Sequence, residues 1–122
     1  MKGTLLAIVG SLALTAVAAP PTMNLSGEWQ VALGDAKPVA VTLPGTLGDA
    51  KLGPAAEKAV YGALTPRHQY VGPATYTKTI TVTPEMTGDY ELFMERVMWK
   101  STVTLDDTAL GSCDSLATPH VY

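Results

Sequence analysis

The chain has 122 residues, with 8 Lys and Arg against 11 Asp and Glu, a net charge of −3 and a single cysteine. That length holds one small domain, and its mild, scattered acidity excludes a nucleic acid or an anionic membrane surface as an electrostatically recruited partner. One cysteine excludes an intramolecular disulfide, and two histidines far apart in sequence, His68 and His120, give no zinc-ligand spacing, so neither a metal nor a cofactor is expected.

The amino terminus has the layout of an export signal. Met1 and Lys2 give a short positive start, Leu5 to Leu14 is an almost unbroken apolar run, and Ala16-Val17-Ala18 offers the small-x-small pattern of a cleavage site. A membrane span needs roughly 20 apolar residues, and Pro20-Pro21 breaks this run before that length. Residues 1–18 are therefore read as a signal peptide and residues 19–122 as the exported domain, periplasmic or extracellular and free of the membrane after cleavage. Asn24-Leu25-Ser26 is a formal glycosylation sequon.

Beyond the signal, apolar residues recur with period two, the spacing of half-buried strands. Trp29, Val31 and Leu33 fall on one face of "GEWQVAL", and Val39, Val41 and Leu43 do the same in "VAVTL". In "ATYTKTITV" Tyr76, Ile80 and Val82 point inward with Lys78 as the exception, while four threonines from Thr75 to Thr81 form the opposite face. Tyr90, Leu92 and Met94 alternate with Glu91 and Glu95, and Val103 and Leu105 close the series.

Turn signals at Pro44-Gly45, Gly72-Pro73, Pro84, Gly88-Asp89 and Asp106-Asp107 separate these runs. Short strands with such punctuation predict an all-β sandwich. The segment from Gly45 to Tyr70 breaks the rhythm and is read as a rim loop, within which "AAEKAVYGAL" could form a short helix or turn. At the other end Pro119 makes Thr118 extended, so that His120, Val121 and Tyr122 read as the first residues of a strand.

Glu28, Glu57, Glu85, Glu91, Glu95, Asp106 and Asp107 are the carboxylates a hydrolase would draw on, but they alternate with core positions or lie in turns and read as solvated. No catalytic residue is assigned. Trp29 is in phase with Val31 and Leu33 and reads as core. Cys113 reads as a small, partly buried residue rather than a reactive thiol.

Taken in order, "LSGEWQVAL", "VTLPGTLGDAKLG", "LTPRHQYVGPATYTKTITV" and "YELFMERVMWKSTVTLDDTALGSCDSLATPHVY" resemble the amino-terminal sugar-binding domain of glycoside hydrolase family 2, which includes β-galactosidases, β-glucuronidases and β-mannosidases. The resemblance covers Leu25 to Tyr122. It implies a jelly-roll, galactose-binding-like β-sandwich, incomplete at its C-terminus because relatives continue the "TPHVY" strand. It also implies two paired strands with Val97 to Lys100 between them, followed by an Asp106-Asp107 turn where relatives commonly carry glycine second.

The catalytic glutamates of that family sit on a later (β/α)₈ barrel that is absent here, so the implied parent is a retaining β-glycosidase and the implied partners are a β-linked carbohydrate and the missing barrel. Asp49 in the Gly45–Gly53 loop, and Arg67, His68 and Tyr70 before the Gly72 turn, are the candidates for reaching sugar or the barrel rim. Trp99 is a further candidate, either capping the core or facing a partner. The reading from a different class is a free-standing secreted carbohydrate-binding module.

Overall fold

The computed structural model describes residues 21–58 and 66–122. The signal peptide and residues 59–65, which include most of "AAEKAVYGAL", lie outside the described residues. The chain divides into two compact units, Met1–Thr81 and Val82–Tyr122. Among the described residues all regular structure is β, in small antiparallel sheets, with no helix.

In the first unit β1 (Gly27–Leu33) is the central strand, flanked by β2 (Val39–Leu43) and β3 (Ala74–Thr77) in the order β2-β1-β3. Register places Trp29 opposite Val41 and Val31 between Val39 and Tyr76, with Leu33 opposite Ala74. Residues directly opposite in a ladder share a face, so the period-two residues of three separate strands meet on one side of the sheet, as expected. Val31 and Val41 are its buried centre, and Glu28, Gln30, Thr42, Thr75 and Thr77 lie exposed on the other side.

Lys78, the exception in that pattern, keeps the inward phase for a physical reason. Its ammonium lies 5.5 Å from the centre of the Trp29 ring and donates a 2.9 Å hydrogen bond to the Glu28 carbonyl. The aliphatic stem covers apolar surface while the charge takes an aromatic face and a carbonyl, which is how a lysine is accommodated beside a core. The Trp29 indole N–H donates to the Leu25 carbonyl at 2.8 Å, so both its polar edge and one ring face are occupied.

In the second unit β4 (Phe93–Met94) pairs with β7 (His120–Val121), and β5 (Lys100–Leu105) pairs with β6 (Thr108–Asp114). This corrects the expected pairing across Val97–Lys100: β4 takes β7 as its partner, while β6, joined to β5 by a two-residue turn, takes the edge of β5. Both turn residues have positive φ, 45° at Asp106 and 65° at Asp107, the geometry of a type I′ hairpin. A register shift between Val103 and Thr104 leaves Leu110 as the extra residue ahead of Gly111.

Three further expectations are corrected. β3 ends at Thr77, so Ile80 and Val82 leave the sheet and are exposed, Val82 at 64 %. The strand expected from Tyr90 onward shortens to Phe93–Met94, with Leu92 and Tyr122 exchanging backbone hydrogen bonds just beyond it and Tyr90 exposed. Leu105 is exposed beside the tight turn, whereas Val103 and Cys113 are half-buried.

Candidate functional site

The loop from Pro44 to Val71 holds four of the five candidate residues, and its ordering starts from local sequence. Thr46 and Asp49 form a reciprocal capping box: the Asp49 N–H donates to the Thr46 hydroxyl oxygen at 3.0 Å, and the Asp49 carboxylate accepts from the Thr46 hydroxyl at 2.7 Å and its N–H at 3.3 Å. The single turn that follows closes with a Schellman pattern, Leu52 N–H to the Leu47 carbonyl at 2.8 Å and Lys51 N–H to the Gly48 carbonyl at 3.0 Å. Lys51 takes the left-handed position, φ 58°, that such a close requires.

A second tie holds the two arms of the loop together. Ala55 and His68 form an isolated antiparallel bridge, with Ala56 N–H on the Arg67 carbonyl and Gln69 N–H on the Pro54 carbonyl. The His68 ring places Nδ1 3.1 Å from the Gly53 carbonyl. A carbonyl can only accept, so Nδ1 carries the proton. Gly53 is required there: its φ is +92°, and a Cβ would stand 2.8 Å from the Gln69 carbonyl oxygen and 2.9 Å from the Tyr70 Cβ. The Tyr70 hydroxyl donates to the Pro73 carbonyl at 2.9 Å, the same oxygen that accepts from Gly34 N–H, and its ring lies against Gly72.

These contacts sort the candidates. His68 and Tyr70 are half-buried; His68 commits Nδ1 to the Gly53 carbonyl within the loop, and Tyr70 commits its hydroxyl to the Pro73 carbonyl just beyond it. Asp49 and Arg67 are exposed. Asp49 lines an open groove of about 520 Å³ together with Glu28, Thr42, Pro44, Gly45 and Thr46. Its lining is mixed: Glu28, Thr42 and the mutually bonded Thr46 and Asp49 are polar, and Ala40, Val41, Pro44 and Ala50 are apolar. Glu28 and Thr42 enter because they face each other across β1 and β2 on the exposed side; their period-two phase was a signal for this in the sequence.

Trp99 belongs to the second unit and is 64 % exposed, so it caps no core within that unit. The same unit also holds a polar cluster that no sequence pattern announces. His120 is wholly buried, with Nδ1 2.5 Å from the Ser101 hydroxyl oxygen and Nε2 2.9 Å from the Ser115 carbonyl. The Tyr122 hydroxyl lies 2.7 Å from the Ser101 hydroxyl oxygen and 3.1 Å from its carbonyl. Among the described residues no set of three metal-ligating side chains converges and every buried side-chain polar atom is hydrogen-bonded.

No protein-family profile matches the chain, and no curated protein or solved structure matches it significantly.

Proposed function

We propose that this chain is the amino-terminal, non-catalytic sugar-binding domain of an exported family 2 glycoside hydrolase, a retaining β-glycosidase in its intact form, and that its strands are those of a jelly-roll, galactose-binding-like sandwich. The observation that carries the reading is the ordered sequence resemblance from Leu25 to Tyr122. What supports it in the structure is coarser: the described residues are all-β, β1 and β3 to β7 fall inside the resembling strings, and β2 overlaps one.

In this reading the Pro44–Val71 loop contributes to a sugar-facing rim, with Asp49 and Arg67 as its exposed polar groups, and Trp99 faces sugar or the barrel. His68 acts one step back, by tying the loop's two arms at Gly53, and Tyr70 by fixing the Gly72 turn through the Pro73 carbonyl. The exposed apolar side chains of the second unit, Phe93, Met98, Trp99 and Val121 among them, are what a surface covered by a further domain would carry. The test compares two proteins. One continued past Tyr122 through a barrel hydrolyses an aryl β-glycoside; residues 19–122 alone do not. Turnover by the short chain overturns the reading.

The open groove beside Asp49 favours a second reading, a free-standing secreted carbohydrate-binding module. Calorimetric titration with a panel of β-linked sugars tests it, and an absence of heat across the panel counts against it.

A further inference from the structure

Asn24-Leu25-Ser26 is a motif that the proposed function leaves unused, and Asn24 is the chain's sole asparagine. N-linked sugar transfer needs the Asn-X-Ser pattern with X other than proline, on a surface that the transferring enzyme can reach. Leucine at X meets the first condition. The second is met by the structure: Asn24 and Ser26 are exposed, Leu25 between them is half-buried, and residues 21–26 lie outside every strand.

The local geometry presents Asn24 without committing the atom that would react. The Ser26 backbone N–H donates to Asn24 Oδ1 at 2.9 Å, an Asx turn that engages the carbonyl end of the carboxamide rather than Nδ2. The Trp29 indole N–H holds the Leu25 carbonyl at 2.8 Å and so ties the middle of the motif to β1. Gly27, the next residue, has φ +102°, and beyond its chain neighbours no atom lies within 4 Å of where a Cβ would stand, so open space adjoins the motif. The ladder between β1 and β2 begins at Gly27. An enzyme can therefore engage residues 21–26 without breaking a ladder hydrogen bond.

We propose that Asn24 is an N-glycosylation site that remains an acceptor in the folded chain, and that its donor is an oligosaccharide carried on a polyprenyl diphosphate. In the transfer Nδ2 forms a bond to the anomeric carbon of the first sugar and the bond from that carbon to the diphosphate oxygen breaks. Polyprenyl diphosphate leaves, the Nδ2 proton passes to a base of the transferring enzyme, and nothing is oxidised or reduced. The Ser26 hydroxyl is the second determinant, since the motif requires a hydroxyl two residues on. The glycan is a bulky hydrophilic group at the head of the central strand of the first sheet, on a residue that does not line the groove beside Asp49. The proposal rests on the export reading of residues 1–18 and is independent of the glycosidase reading.

The first test is transfer in vitro. The purified full chain, its fold checked by protection of the β1 amides from exchange, is incubated with a single-subunit oligosaccharyltransferase that accepts Asn-X-Ser and with a chitobiosyl polyprenyl diphosphate. Intact mass and peptide mapping then locate the sugar. The folded chain is modified at Asn24 at a rate within about tenfold of that of a synthetic peptide spanning residues 20–28, because only a motif that first had to unfold locally would be slowed by its opening equilibrium. Ser26→Thr keeps the reaction, and Ser26→Ala and Asn24→Gln abolish it. Transfer to the peptide but not to the folded chain, or to neither, overturns the proposal. The second test expresses the full chain in a eukaryotic secretory host: the secreted protein loses mass on treatment with a peptide N-glycosidase, and the Asn24→Gln variant does not. A secreted chain that begins after Ala18 and carries no glycan overturns the proposal alone, whereas a chain that keeps residues 1–18 and carries no glycan overturns the export reading with it.

Discussion

Replacing Asp107 with glycine should tighten the β5–β6 hairpin. Both turn residues sit at positive φ, 45° and 65°, and that region costs an ordinary L-residue roughly 1–2 kcal/mol, with aspartate among the more tolerant. Glycine removes the steric term but adds about 0.5–1 kcal/mol of unfolded-chain entropy. The steric gain is the larger, leaving a net stabilisation of roughly 0.5–1 kcal/mol, or about a two- to fivefold slowing of local opening. Amide hydrogen exchange across Lys100–Asp114 reads this directly, since β5 and β6 exchange their ladder bonds within that span. Asp107→Val is the opposite control: a β-branched residue at φ 65° is a steric outlier and should speed exchange. Unchanged or faster exchange in the glycine variant would refute the type I′ argument.

Three other changes have defined outcomes. Thr46→Ala removes one half of the capping box, worth about 1 kcal/mol, and should raise exchange at the Asp49 amide about fivefold, while Thr46→Ser should not. Gly53→Ala forces a Cβ to within 2.8 Å of the Gln69 carbonyl at φ +92°; protease cleavage within residues 44–71 should accelerate, and an unchanged digestion pattern would show that the two arms of the loop are not held there. Burial raises the Tyr76 phenol above its usual 10.0. The folded state thus favours the neutral phenol, so the linked stability is present below the unfolded pKa and is lost as pH rises through the higher folded value. Phenolate absorbance should show an ionisation above 10.0 that Tyr76→Phe deletes.

The first sheet was legible because its information is local. Trp29, Val31 and Leu33 alternate within one strand, and their partners Val41, Val39, Tyr76 and Ala74 alternate within theirs. Lys78 looked like an error in that pattern only because periodicity does not know that an ammonium can rest on an indole. The strand beginning at His120 was legible from Pro119. Its partner was not, since the pairing of β7 with β4 spans more than twenty residues and nothing in either short run specifies it. Ile80 and Val82 carried the right alternation but have no ladder beyond Thr77, and alternation without a neighbouring strand buries nothing.

The candidate site divides in the same way. Asp49 stands out as a loop carboxylate, and the Thr46-x-x-Asp49 spacing is that of a capping box. His68 and Tyr70 have the chemistry of binding residues, yet His68 directs it at Gly53 in its own loop and Tyr70 at Pro73 in the turn that follows. Ser101, His120 and Tyr122 were missed because a serine and a histidine nineteen positions apart show no pattern until two strands bring them together.

The central claim, that these residues are the sugar-binding front of a β-glycosidase, is tested most directly by reading the encoding DNA beyond the Tyr122 codon in all three forward frames. The account predicts an Asp-led continuation of β7 and then several hundred codons that include a (β/α)₈ barrel with two catalytic glutamates. A stop codon followed by unrelated sequence in every frame would contradict it.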